Sequence, residues 1–243
     1  MRIDFDSFVL AAATADLSNA DDPIARDHAD AVEFRMDLAD DPLEALENYD
    51  SDLPILATNR AEWEGGAKRS SAEGSSGRRP RDGEAADDGR LETLAEATRF
   101  DAVGAVDVEL ESILEDEADD LLETARERDV AVVASAHDFE GTPPRVEMVR
   151  TLTEAGKYAD VAKLAVTAES KADALALLSA TEQLTAHGDA VATMAMGEVG
   201  SHTRAVAPVY GSRIGYAPVD PEAATAPGQY DLETLSELVS QLQ

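Results

Sequence analysis

A lysine stands in the middle of an apolar run, Val161-Ala162-Lys163-Leu164-Ala165-Val166, whose composition reads as a buried strand. An ammonium group taken out of water is costly unless it is paired or gives up its charge. Apolar walls favour the uncharged amine, and a neutral amine attacks ketones to form a Schiff base. His137, in "VAVVASAHDF" (130–139), belongs to the preceding strand, and neighbouring strands lie roughly 4.8 Å apart. An imidazole can move protons once an imine has acidified the adjacent carbon. Glu64, four residues beyond Arg60 in "TNRAEWEGG", is placed to hold the other ring nitrogen and fix its tautomer. These residue types point to carbonyl chemistry.

Other ionisable residues fall at the same ends of strand-like runs. In "EFRMD", Glu33, Arg35 and Asp37 share one face by period two, alternating with Phe34 and Met36. Arg60 ends the third run, His137 and Asp138 the fifth, and Arg204 comes from the eighth strand–helix region. An ion-pair network explains any one pair, but not ionisable residues at the same end of five strands. No cluster has metal-ligand spacing, and "GEVGS" (197–201) lacks the GxGxxG pattern of a nucleotide loop, so neither metal nor nucleotide is expected.

Eight strand-like runs are available to position such groups. The candidates are 8–14, 31–37, 54–60, 105–110, 130–139, 161–168, 190–196 and 206–217. Helical patterns separate them, notably 89–100, 111–129, 143–157 and 170–188, with a capped amphipathic helix at 231–243. Strands too apolar for a wet face, alternating with helices over 243 residues, predict an α/β fold, a closed (β/α)8 TIM barrel forming one catalytic domain over 1–243. The segment 65–89, rich in Gly, Ser and Arg, reads as a long mobile loop on the active-site face, either a plain insertion or a lid.

The 51 acidic residues against 20 basic ones give a formal charge of −31, which argues against nucleic acid or anionic membranes as partners. No apolar run is long enough to span a bilayer, and the first residues carry acids where a signal peptide has bases. The absence of cysteine suits a reducing cytosol, and a cytoplasmic protein is expected. Four lysines in so acidic a chain suit a salt-accumulating organism, where concentrated salt screens the self-repulsion.

"EFRMD", "TNRAEWEGG", "SAHDF", "KLAV" and "MAMGEVGSHTR…YGSRIGY…APGQ", in this order and spacing, resemble the type I 3-dehydroquinate dehydratases, the Schiff-base class of the shikimate pathway. The similarity runs from the first strand to about Tyr230, and the acidic composition points to a halophilic archaeon. The resemblance implies a cofactor-free syn dehydration of 3-dehydroquinate to 3-dehydroshikimate, with the imine on Lys163, His137 as general acid and base, and Glu64 orienting it. It implies that Glu33, Arg35 and Arg60 bind the substrate's hydroxyls and ring region, and that Arg204 clamps the carboxylate. Gln229, with Thr225 four residues before it, would close over the ligand, while Met194, Met196 and Tyr216 form apolar walls. Family members are commonly dimers, so a homodimer is expected.

This sequence departs from the family pattern at several positions. Thr203 and Thr225 stand where serine is usual, Tyr216 where phenylalanine is frequent, and Ala11 where the first strand commonly offers serine. The missing first-strand contact would have to come from Thr14. Of the other histidines, His187 reads as a helix C-terminal cap, His28 as a surface helix residue, and His202, two residues before Arg204, as more often outside the site than reaching it. A class I aldolase or transaldolase-like barrel is the alternative enzyme, although such enzymes usually grip phosphate at a helix N-terminus. A non-catalytic binding barrel is the third reading.

Overall fold

The computed structural model describes residues 2–67, 89–220 and 228–243. Eight parallel strands follow one another around a barrel: β1 (Val9–Thr14), β2 (Ala31–Arg35), β3 (Ile55–Thr58), β4 (Val103–Glu109), β5 (Ala131–Asp138), β6 (Val161–Thr167), β7 (Val191–Met196) and β8 (Ile214–Pro218). Ladders join every consecutive pair from β1 to β7, and β8 pairs with β1. At the β7–β8 seam, Arg213 N donates to Val191 O at 2.8 Å and Thr193 N to Ser212 Oγ at 3.0 Å. The (β/α)8 expectation holds.

The outer helices are α1 (Pro23–His28), α2 (Pro42–Glu47), α3 (Arg90–Ala97), α4 (Leu110–Leu114), α5 (Asp119–Glu127), α6 (Arg145–Ala155), α7 (Lys171–Thr185), α8 (Thr203–Val206) and α9 (Leu232–Leu242). Part of the acidic surplus caps them: Asp22, Asp41 and Asp231 each accept a backbone N–H of the first turn of α1, α2 and α9. The helix expected over 111–129 is two, α4 and α5, with Asp116 at φ 63 between them. The strand expected over 206–217 begins only at Ile214. Its first half is the end of α8 and a 3-10 turn, Ala207–Tyr210, with Pro208 in the first turn. The segment expected as a loop at 65–89 lies outside the described residues over 68–88, as does Thr225. Among the described residues, no helix is long and apolar enough to cross a membrane.

Strand alternation divides the core in two. Val32, Phe34, Ile55, Val106, Val132, Leu164 and Val191 face the helices, while Val9, Ala11, Leu56, Ala105, Val133, Val161, Ala192 and Ile214 face the barrel axis. Ile3 and Phe5, ahead of β1, pack into that interior cluster. Above this apolar floor the inward positions turn polar. Glu33, Asp107, Glu109, Ser135 and Lys163 are all buried.

Candidate active site

The cleft opens at the C-terminal ends of the strands and encloses about 560 Å³ including its mouth. Glu33, Arg35, Arg60, Glu64, His137, Lys163, Met194, Met196, Arg204, Tyr216 and Gln229 all line it. Sequence reasoning had named each of them. Gly65, Phe139 and Ala165 complete the lining.

Lys163 does not sit among hydrocarbon walls alone. Its Nζ donates to Asp107 Oδ2 at 2.8 Å, and both side chains are buried. The expectation of purely apolar surroundings is therefore corrected: a carboxylate on β4, two strands away, meets the amine. The other face of Nζ lies over the Tyr216 ring, 4.4 Å from its centroid. Asp107 also accepts from Ser135 Oγ at 2.6 Å and pairs with Arg60 at 2.8 Å. Burial pushes the Asp107 carboxyl up, but Arg60 and Lys163 outweigh it and hold the group well below the usual carboxylate range.

Arg60 is the centre of a buried ladder of alternating charge. Its guanidinium reaches Asp107, Ser135 Oγ at 2.6 Å and Glu109 Oε1 at 3.2 Å. Glu109 accepts in turn from Ala61 N at 2.9 Å and from Arg90 at 2.7 Å. Arg90, the first residue of α3, also donates to Asn59 O at 3.0 Å. Burial disfavours the Arg60 charge, yet Asp107 and Glu109 overcome this and raise its pKa. Arg60 faces the cleft with its charge already met.

Asp107, Glu109, Ser135 and Arg90 were missed in the sequence. The signal was present in "VDVEL", where Asp107 and Glu109 alternate with Val106 and Val108 just as Glu33 and Arg35 alternate with their neighbours. Arg35 forks onto Asp37, Nε to Oδ1 at 2.8 Å and Nη2 to Oδ2 at 2.7 Å, so it too faces the cleft already paired. Asp37 belongs to a 3-10 turn, Met36–Leu38, not to β2. Glu33 accepts from Thr58 Oγ1 at 3.2 Å.

His137 and Lys163 lie on neighbouring strands, as expected, but not directly opposite. Lys163 pairs with Ser135, and His137 with Ala165. Two residues of strand rise, ~6.6 Å, thus carry His137 closer to the mouth than the amine. The imidazole Nδ1 meets Glu64 Oε2 at 2.5 Å, and Phe139 stacks against the ring at 5.8 Å between centroids. Burial raises the Glu64 carboxyl to about 8 against the opposing pull of Arg60. Burial, with Arg60 and Lys163 adding to it, lowers the imidazole well below 6.5. Both shifts favour a pair of zero net charge sharing its protons across the short contact. Glu64 sits on a 3-10 turn, Glu62–Glu64, closed by Gly65 at φ 84, where a Cβ would strike Phe139 Cζ at 2.8 Å.

On the opposite side stands Arg204, in α8 between β7 and β8, where the sequence had assigned it to the eighth strand–helix region. It is buried, its Nε has no hydrogen-bond partner, and no acid among the described residues forms an ion pair with it. Burial lowers its pKa to about 10, with Glu33 offsetting part of the cost. The Tyr216 hydroxyl is also buried without a partner. Gln229 is carried to the rim by Gly228 at φ 76, whose missing Cβ would lie 2.4 Å from Gly197 O.

The remaining expectations divide. Thr14 does not supply a first-strand contact, because its hydroxyl is held in the following turn by Asp16 and Asn19. The Thr203 hydroxyl donates to Gly200 O and accepts from Ala195 N, fixing the loop below Arg204. Asp138 is taken up by the turn at Glu140 and Gly141. His187 caps Gln183 O at the end of α7, His202 is exposed and outside the cleft, and His28 is half-buried against Ser236. Among the described residues no His, Asp and Glu cluster could hold a metal ion.

The sequence model described as type I 3-dehydroquinase matches residues 8–243. A 3-dehydroquinate dehydratase of Haloarcula marismortui is 54% identical, with 99% of each chain covered. One of Halobacterium salinarum is 49% identical over 99% of this chain and 100% of its own. Among solved structures, the 3-dehydroquinate dehydratase of Geobacillus kaustophilus is similar with a TM-score of 0.80 at 27% identity, covering 98% of this chain and 92% of that one.

Proposed function

Since the chain belongs to the type I 3-dehydroquinase family, we propose that it works through an imine on Lys163. The reaction is the dehydration of 3-dehydroquinate to 3-dehydroshikimate in the shikimate pathway of aromatic amino-acid biosynthesis, a hydro-lyase activity. Lys163 passes a proton to His137, the freed amine adds to the C3 ketone, and His137 returns the proton to the carbinolamine hydroxyl as water leaves, giving an iminium beside Asp107. That positive charge acidifies C2–H, and His137 takes the proton, leaving an enamine. The enamine pair then forms the C1–C2 double bond and expels the C1 hydroxyl, to which His137 returns a proton. Hydrogen and hydroxyl leave from one face. Water hydrolyses the imine and frees product and lysine.

Glu64 orients His137 from behind, and in the form that acts as base its ionised carboxylate accepts from Nδ1–H and leaves Nε2 bare. Arg204 clamps the C1 carboxylate, a task suited to a planar fork that no acid among the described residues pairs with. Glu33, Arg35 and Arg60 meet the ring and its hydroxyls, the two arginines as donors already anchored by carboxylates. Gln229 closes over the ligand, against walls of Met194 and Met196. The imine is the electron sink, so no cofactor enters. We place the enzyme in the cytoplasm as a single catalytic domain that pairs into a homodimer, a state sedimentation equilibrium reads directly.

One observation carries this reading: the amine, the imidazole–carboxylate pair and a buried unpaired guanidinium open onto the same cleft. Borohydride reduction during turnover of 3-dehydroquinate should add the reduced ligand's mass to the tryptic peptide bearing Lys163. An unmodified peptide under conditions that consume substrate would refute it.

A further inference from the structure

Nearly every polar group that lines the cleft is spoken for by the protein itself. Among the described residues two buried atoms of the lining are not: Arg204 Nε and the Tyr216 hydroxyl. Arg204 is assigned above to a carboxylate. The tyrosine is not explained by an apolar wall, because a buried hydroxyl with no partner is a net cost that a phenylalanine in the same ring position would avoid.

Tyr216 is an inward residue of β8, level with Ala11 on β1, whose methyl offers no hydrogen bond. Its ring is fixed under the amine, with Lys163 Nζ 4.4 Å from the centroid. The hydroxyl lies one ring radius and one C–O bond from that centroid. A substrate joined to Nζ through its imine carbon therefore sets its ring beside the tyrosine. Burial, with Asp107 and Glu33 adding to it, pushes the phenol well above 10. The group is thus a neutral donor, suited to a neutral oxygen and not to the carboxylate that the cation can hold.

We propose that Tyr216 is a specificity residue whose hydroxyl donates a hydrogen bond to a ring hydroxyl of the bound substrate, one other than the hydroxyl that leaves. The inference rests on the Lys163 imine reading and adds to it the group that distinguishes a polyhydroxylated cyclic ketone from a bare one.

The test is Tyr216→Phe, which keeps the ring and deletes one oxygen, with two ketones as probes: 3-dehydroquinate and 3-oxocyclohexane-1-carboxylate, which has the ketone and carboxylate but no ring hydroxyl. For the variant, KM for 3-dehydroquinate should rise about 10-fold with kcat within about 2-fold, the pattern of a lost contact made equally in ground and transition states. The concentration giving half-maximal borohydride trapping should rise in parallel for 3-dehydroquinate and stay unchanged for the bare ketone. Without ligand, Tyr216→Phe should melt about 3 °C higher, since an unsatisfied hydroxyl has gone. Equal weakening towards both ketones, no change towards either, or a lower melting temperature would each overturn the proposal. If the wild-type protein is trapped by neither ketone, it is the imine reading that fails, and the KM and melting comparisons still decide the role of Tyr216.

Discussion

The two halves of the cleft solve the problem of buried charge in opposite ways. Along β3–β6, Lys163, Asp107, Arg60, Glu109 and Arg90 form a ladder in which each buried charge meets one of opposite sign. Across the cleft, in α8 and β8, Arg204 and Tyr216 keep buried polar atoms without partners. The paired side is finished before any ligand arrives, which fixes the amine in place and leaves little to reorganise during reaction. The unpaired side is incomplete without an anion and a hydrogen-bond acceptor. The paired wall holds its charges in place, and the other wall leaves its buried polar atoms open to a ligand.

Substitutions on the two walls should therefore differ in kind. Lys163→Ala should have the largest effect, lowering kcat by at least about 10⁴-fold, because it deletes the atom that carries the covalent step. Steady-state assays with 3-dehydroquinate check this, and residual turnover within 100-fold of wild type would contradict it. Next comes Asp107→Asn, which leaves Lys163 and Arg60 short of a counter-charge. Breaking a buried pair costs about 3–5 kcal/mol, enough to lower the melting temperature by roughly 10 °C. Arg204→Met should act in the opposite direction on stability. Holding that guanidinium buried, with its pKa down at about 10, costs about 3 kcal/mol, so its removal should raise the melting temperature while kcat/KM falls by about 10²- to 10³-fold. Parallel melting curves of the two variants decide the matter; the same sign for both would erase the contrast between the walls.

Much of the barrel was legible because its strands are apolar enough to be read as buried on both faces, and because period two exposed Glu33 and Arg35, and the position of Lys163, as inward. The misplaced elements share a physical cause. Val206–Tyr210 is as apolar as a strand but packs as a short helix and 3-10 turn, which composition does not distinguish over so few residues. The charge ladder was missed for another reason. Its partners are far apart in sequence, Arg60 with Asp107 and Lys163 with Asp107 again, and the pairing of β3 to β6 brings them within hydrogen-bond reach. An isolated lysine in an apolar run looked stranded because its counter-ion lay two strands away.

The Glu64–His137 pair sharpens the comparison through pH. Glu64 titrates at about 8 in the folded protein and near 4.5 when unfolded, so between these values the folded state binds the extra proton and stability falls as pH rises. His137, lowered on folding, has the opposite sign: the unfolded state binds its proton as pH drops below 6.5, so stability rises with pH up to that point. From pH 6.5 to 8 only the Glu64 contribution remains, worth up to about 2 kcal/mol. The wild-type melting temperature should decline by about 5 °C over that window, and Glu64→Gln should flatten the curve. A wild-type profile that is already flat there would mean that the carboxyl is ionised throughout.

The smallest expected effect separates the whole cleft from the surface around it. The formal charge of −31 makes a field that opposes the approach of a carboxylate substrate, while the cations that attract it are either paired or buried at the bottom of the cleft. Dissolved salt screens the outer field over about 10 Å at 0.1 M and about 3 Å at 1 M. It reaches the buried ladder far less, since Asp107 and Glu109 have no exposed side-chain surface. Raising salt should therefore lower KM and raise kcat/KM, by roughly 3- to 10-fold, with kcat nearly constant. Salt also stabilises so acidic a fold, so the measurement belongs on protein kept folded at low salt by an uncharged osmolyte, with circular dichroism recorded in the same samples. A kcat/KM that does not rise under those conditions would show that the cleft's cations overcome the surface field at every distance the substrate travels.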